Sequence, residues 1–239
     1  MNYRDNCTII EVGSSCVKKT YLGAGRQSRV LFLRSIYLLL VEKAVPNVDK
    51  LIQSYEDHMD HGSAVYVGPR GVNVFPTSAQ EVREAVVCIL QALVVCLCQC
   101  VLCLILTQAD LYIRFCMLVK PLFHRDIRWP NIIRDVVDRT KWFLVDWDDA
   151  STTPTRAAPH LDPDYHSPAV FSDNHESEVD LWGAGKFILD ACAFVCGVSA
   201  EMIAIGERLV GGQIQMASEA LDDVEALGVF FFLQTGRLC

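Results

Sequence analysis

Apolar positions along this chain follow two rhythms, and the changes between them order its elements. Near the start, CTIIEV and SSCVKKTY are short β-like runs on either side of Gly13-Ser14, a pattern that predicts a hairpin. LGAGRQS then reads as a loop. Residues 30–44, VLFLRSIYLLLVEKA, place apolar residues at helical spacing, and Pro46 stops them. SAVYVGP predicts a strand ended by Gly68-Pro69. PTSAQEVREAVVCILQAL opens a second helix, with Thr77 or Ser78 to cap it and Glu81 in the first turn, where the helix dipole favours an acid. After Pro121 a polar loop leads to the strand WFLVDW and then to the turn-rich TTPTRAAPHLDPDYHSP. EVDLWGAGKFILDACAFV, AEMIAIGERLV and ASEALDDVEALG predict three more helices. Strands early and helices late predict an α+β fold with a mainly helical C-terminal half.

One stretch breaks this order. From Ala85 to Ala109 no residue is charged, a run long enough to span a bilayer. Against a span, Gln91, Gln99 and Gln108 recur in it and its first half continues the amphipathic helix; Lys/Arg flanks are sparse, so the orientation of a span would be weakly specified, and membrane association is not expected.

Composition narrows the function classes. The net charge is −8, from 21 basic and 29 acidic residues. That argues against a nucleic-acid binder working through phosphate contacts and against a polybasic membrane-surface protein, while leaving room for a phosphate ligand held by a few local cations. Eleven cysteines are an odd number, and Cys96, Cys98, Cys100 and Cys103 crowd together, unlike a disulfide framework. Cys100 and Cys103 form one C-x-x-C pair without a second, which argues against zinc. The polar start MNYRDNCTII does not read as a signal peptide. Together these predict free thiols in a reducing compartment, cytoplasmic or nuclear. Cys192 and Cys196, one turn apart on an apolar helix, read as core thiols. His58, His61, His160, His166 and His175 read as solvated loop residues.

The chemistry concentrates in HRDIRWPNII. His124-Arg125-Asp126, four residues, then Asn131 fits H-R-D-x-x-x-x-N, and the chain resembles the protein kinase superfamily from here onward. Phosphoryl transfer needs a positioned hydroxyl, metal across the phosphates and positive charge for the developing oxygens. The resemblance implies that Asp126 orients the attacking hydroxyl and accepts its proton, that Asn131 holds Mg²⁺, and that Arg128 stands where Ser/Thr-type kinases carry a phosphate-contacting lysine. Arg125 would pair with an anion of the activation segment. In FLVDWDDA, Asp146 matches the kinase metal-binding Asp, while Asp148 replaces the usual Gly of that turn. VDLWGAGKFI resembles the D-x-W-x-x-G helix start through Asp180, Trp182 and Gly185, and Asp180 would tie down the catalytic-loop backbone. YHSPAVF stands where kinases read A-P-E, with Pro168 kept and Ala169 in place of Glu. The wording HRDIRWPNII…WFLVDWDDA most resembles fungal protein-kinase-like proteins, including the kinase-like domains of Crinkler-type effectors.

The same resemblance is thinner toward the N-terminus. SCVKKTY fits the strand that supplies the phosphate lysine, Lys18 or Lys19. Arg29 stands where relatives read the partner Glu, and Glu42 lies later on the same helix. No G-x-G-x-x-G precedes Lys18. VYVGPRGVNVFPT resembles the hinge, where backbone groups of about Val67 to Pro69 would face an adenine. About twenty residues near Val95–Cys116 look inserted between the long helix and His124. They read as a genuine insertion, a membrane span or a translated, unspliced intron, since Val95-Cys96 can be encoded GTATGT, a common intron start.

These readings imply a kinase-like fold with a reduced N-terminal β lobe, residues 1–67, and a mainly helical C-terminal lobe, residues 68–239. They imply ATP and Mg²⁺ as cofactors, a protein Ser/Thr hydroxyl as acceptor, and no nucleic-acid partner, with oligomeric state left open. Two alternatives stand beside this. The missing Gly loop, Arg29, Asp148 and Ala169 suggest a pseudokinase acting as a binding module. VDWDDA is similar to the corresponding turn of aminoglycoside and choline kinases.

Overall fold

A computed structural model describes residues 8–55, 62–98 and 120–235. The predicted hairpin is β1 (Thr8–Val12) against β2 (Val17–Tyr21), closed by Gly13 N–H donating to Cys16 O at 2.8 Å. Helix α1 (Arg26–Glu42) begins earlier than its apolar spacing suggested. Gly25 caps it at φ 87°, a left-handed conformation that glycine adopts without strain, so Arg29 falls in its opening turns. Then come β3 (Lys50–Tyr55) and β4 (Ser63–Gly68), giving a four-stranded antiparallel sheet in the order β1-β2-β4-β3. The sequence hides β3 because it is an edge strand with a register shift between Leu51 and Gln53 and an outward-facing Ile52, so alternation is lost. Buried Val30, Leu33, Ile36, Tyr37 and Leu40 of α1 face into the core.

The second half is built on α2 (Ala79–Leu97). Ser78 accepts from Glu81 N–H, and Glu81 Oε2 accepts from Thr77 N–H at 2.7 Å, so Ser78 is the cap and Thr77 ties the Glu81 side chain to it. Short strands surround its end: β5 (Gly71–Val72), β7 (Ile132–Asp135) and β8 (Trp142–Leu144) form one sheet, and β6 (Leu122–Phe123) pairs with β9 (Ser151–Thr152). Helices α3 (Glu178–Phe194), α4 (Ala200–Val210) and α5 (Ala217–Thr235) complete the chain. One apolar core joins the halves, from Tyr21 and Val65 through Ile89 and Trp147 to Leu209 and Val224. The turn-rich segment has a small core of its own: Ala158, Leu161, Val170 and Val179.

Helix α2 runs through Val95 to Leu97, and Cys96 packs in the core. The rest of the suspected insertion, with Cys100 and Cys103, lies outside the described residues, as do His58 and His61. Among the described residues, no helix is long and apolar enough to cross a membrane. Among the described cysteines, Cys16, Cys88, Cys96, Cys192 and Cys196 form no disulfide; Cys196 is exposed and lies past the end of α3, not in the core.

Helices α3 and α4 pack closely through glycine. A β-carbon on Gly185 would stand 2.7 Å from both Gly206 O and Leu209 Cβ. Gly185→Ala is therefore expected to cost about 1–3 kcal/mol, because one obstruction is backbone and cannot rotate away. A lowered urea midpoint with an unchanged m-value would show it.

Candidate functional site

The loop after β6 owes its shape to α3. Asp180, 1% exposed, accepts from His124 N–H at 2.8 Å with one oxygen and from Arg125 N–H at 2.7 Å with the other. Arg125 sits at φ 70°. That conformation costs a residue with a β-carbon about 1–2 kcal/mol, and the two bonds to Asp180 hold it there. His124 Nδ1 accepts from Asp126 N–H at 3.2 Å, so the ring proton is on Nε2, which donates to Val145 O at 3.0 Å. Trp129 stacks on Phe187 with centroids 3.9 Å apart and donates from Nε1 to Phe187 O at 3.1 Å, fastening the loop to α3. From the other side Asn73 donates to the carbonyls of Trp129, Pro130 and Ile132.

This frame presents Asp126. Its Oδ1 accepts from Arg128 Nε at 2.6 Å and from His166 Nε2 at 2.8 Å. Its Oδ2 accepts from Asn131 Nδ2 at 2.7 Å and from Arg128 Nη2 at 3.3 Å. Burial pushes the Asp126 carboxyl up, but the hydrogen bonds from His166 and Arg128 outweigh it and bring it down to about 2. Asn131 spends its amide hydrogens on Asp126 O and Oδ2, leaving its Oδ1 as a free acceptor. Asn131 O accepts from Val145 N–H at 2.9 Å, next to the pairing of Ile132 with Leu144, so β7 and β8 bring Asn131 beside Asp146.

Asp146 has φ 70° and its Oδ1 is 2.6 Å from Lys19 Nζ. Asp148 Oδ1 is 3.8 Å from the same ammonium. Burial alone would lower the Lys19 pKa; Asp148 and Asp146 outweigh it and raise it, so Lys19 is charged. Lys18 points to the opposite face of β2 and pairs with Glu11 at 2.7 Å, away from the site, as strand alternation requires. Val67 is buried and lies between Val17 and Leu51 in the sheet, at the β4 end that leads to Gly68-Pro69.

Two departures from the kinase pattern meet here. Arg29 Nη2 lies 3.1 Å from Asp148 Oδ2, and Tyr21 OH donates to Asp148 Oδ1 at 3.0 Å. Arg29 also lines a cleft of about 290 Å³ with Asp126, Arg128, Asp149, His160 and His166. Behind Lys19, Asp49 accepts from Tyr37 OH at 2.8 Å, and burial pushes its carboxyl up to about 7.

Other expectations need correction. Arg125 grips the main-chain carbonyls of Asp149 and Arg156 instead of an anion, so it braces the turn-rich segment through dipoles. His166 and His175 are buried, and His160 Nε2 is 2.6 Å from Asp149 Oδ1; these are not solvated loop residues. Tyr21, Asn73, Asp49 and His166 carry no motif that marks them in the sequence.

Among the described residues no group of three or more His, Cys, Asp or Glu is arranged to hold a metal. Asn131 Oδ1 and the Asp146 carboxylate still fit Mg²⁺, which takes few protein oxygens and completes its shell with phosphates and water. When bound, the ion would neutralise phosphate charge.

The chain has a protein kinase-like fold. Over 94% of this chain and 81% of the other, the structure superposes on that of vaccinia related kinase 3, with a TM-score of 0.58 and 13% identity. In sequence, 160 residues, 65% of the chain, are 31% identical to Crinkler effector protein 8 of Phytophthora infestans. The match spans 22% of that relative's length. The Crinkler resemblance thus has an oomycete counterpart, which lends the fungal wording no support. No protein-family profile matches the chain.

Proposed function

We propose that this chain is a kinase-like phosphotransferase that moves the γ-phosphoryl group of ATP, with Mg²⁺, to a Ser or Thr hydroxyl of a protein. The observation that supports this most is the linked set Asp126–Asn131–Asp146–Lys19, in which a carboxylate, an amide oxygen, a second carboxylate and a buried cation adjoin. Asp126 takes the acceptor's proton as its oxygen attacks the γ-phosphorus. The bond to the bridging oxygen breaks, and ADP leaves. Lys19 and Arg128 offer positive charge to the phosphate oxygens. An intracellular setting, cytoplasmic or nuclear, goes with this reading.

A binding module without turnover is the second reading. What favours it is that Lys19 is already neutralised by Asp146, and that Arg29 replaces the helix glutamate.

Calorimetric titration with ATP, with and without Mg²⁺, tests the proposal. Metal-dependent binding is expected. Lys19→Met should weaken it roughly 10–100-fold, the worth of one buried charged contact. Lys18→Met should leave it unchanged. A folded protein that binds no ATP, or equal losses in the two variants, would overturn the assignment.

A further inference from the structure

His166 is 6% exposed and comes from the turn-rich segment rather than from any motif. Its Nδ1 lies 2.6 Å from Asp162 O, and its Nε2 lies 2.8 Å from Asp126 Oδ1. A carbonyl oxygen only accepts. Asp126 accepts as well: Arg128 and Asn131 donate to three of its four positions, and this charged and amide bonding holds the carboxyl ionised, so the proton shared at the fourth belongs to His166. Both nitrogens of His166 must therefore carry hydrogen, and the ring is an imidazolium. Asp126 is also full. A carboxylate offers about four acceptor positions, and donors from His166, Arg128 and Asn131 occupy them.

We propose that His166 is a cationic latch that clamps the Asp162–Ser167 turn onto Asp126 and occupies the position an acceptor hydroxyl has to take. The role as a latch rests on the phosphotransfer reading of Asp126; the clamp itself does not. Substrate entry then requires the imidazolium to leave Oδ1. The freed oxygen regains a lone pair at the moment it is needed, and the turn that carried His166 moves aside.

The surroundings support a cation at this point. Asp126 and Arg128 face the ring from the catalytic loop, and Asp164 and Tyr165 belong to its own turn. Arg29, Asp149 and His160 line the same cleft, where Arg29 and His160 have carboxylate partners in Asp148 and Asp149. Burial lowers the His166 pKa, but the bonds to Asp126 and to the Asp162 carbonyl outweigh it, and the net shift is upward. A histidine raised on folding adds stability that is fully present below its unfolded value of about 6.5. That stability is lost as pH rises through the higher folded value.

Long-range ¹H–¹⁵N spectra of the intact protein read the ring directly. The expected result is an imidazolium pattern with a midpoint above that of free histidine, moved down in Asp126→Asn. A neutral tautomer at pH 6, or an unmoved midpoint in a folded Asp126→Asn protein, would overturn the clamp. Turnover separates the rest. With ATP, Mg²⁺ and a Ser/Thr acceptor protein, His166→Gln should be about tenfold faster, the worth of one charge-assisted hydrogen bond. An active wild type with no faster variant sinks the latch and leaves the phosphotransfer reading standing. If neither protein transfers phosphate while the ring titrates as described, the phosphotransfer reading and the latch fall together, and the clamp survives as a structural bridge.

Discussion

Asp146→Asn is expected to abolish Mg²⁺-dependent nucleotide binding while the chain stays folded. The two side chains have the same shape, so no cavity opens. Asn also tolerates the left-handed φ of 70° at this position better than most residues with a β-carbon. At 38% exposure the Asp146 side chain is not a buried charge whose loss would unbalance the interior. Lys19 keeps Asp148 at 3.8 Å. What disappears is the carboxylate charge that β7 and β8 bring beside Asn131, and an amide pair is a poor home for a strongly hydrated dication. Turnover should fall by at least about 100-fold, beyond what loss of an outer-shell contact to a metal ligand costs. Calorimetry with and without Mg²⁺, beside a thermal melt, measures both halves. Wild-type affinity in the variant would remove Asp146 from the metal site.

How much of this was legible in the sequence depends on distance along the chain. The contact between Asp126 and Asn131 reads directly, because they are five residues apart and one loop holds both. The cap of α2 reads for the same reason, since Thr77, Ser78 and Glu81 are neighbours. Lys18 and Lys19 could not be separated, because alternation puts them on opposite faces without saying which face is inward. Arg29 and Asp148 each look like a lost kinase feature when read singly. Folded, they form one ion pair beside Lys19, with the acid now on the turn after β8 and the cation on α1. His166 is 40 positions from Asp126 and lies in a turn-rich run with no periodicity to mark it. Such pairings are set by packing of the Asp149–Ser167 segment on its own small core, which local pattern does not encode.

Asp180→Ala is expected to be the most destabilising of these substitutions, at about 3–5 kcal/mol, and to disable the site as well. The carboxylate is buried, and its two oxygens take two backbone N–H groups that have no other partner in the described contacts. Burial raises its carboxyl pKa, while the nearby His124 and Arg125 N–H donors pull against that rise. A hydrogen bond to a charged group contributes about 1.5–3 kcal/mol, and alanine removes two of them at once. It also strands both donors in a dry place and releases Arg125 from φ 70°. Asp180→Asn should fall between alanine and wild type, because its single oxygen can keep one N–H while its amide hydrogens oppose the other. Since a domain of this size is stable by only about 5–15 kcal/mol, the alanine protein should unfold at a much lower urea concentration. The coupling to function follows from the same bonds. His124 and Arg125 precede Asp126 directly, so an unpinned backbone there moves the carboxylate relative to Asn131 and Asp146. ATP binding with Mg²⁺, measured below the unfolding temperature, should therefore weaken in Asp180→Ala even where the protein is still folded. Unchanged binding there would mean that Trp129 and Asn73 hold the loop without Asp180.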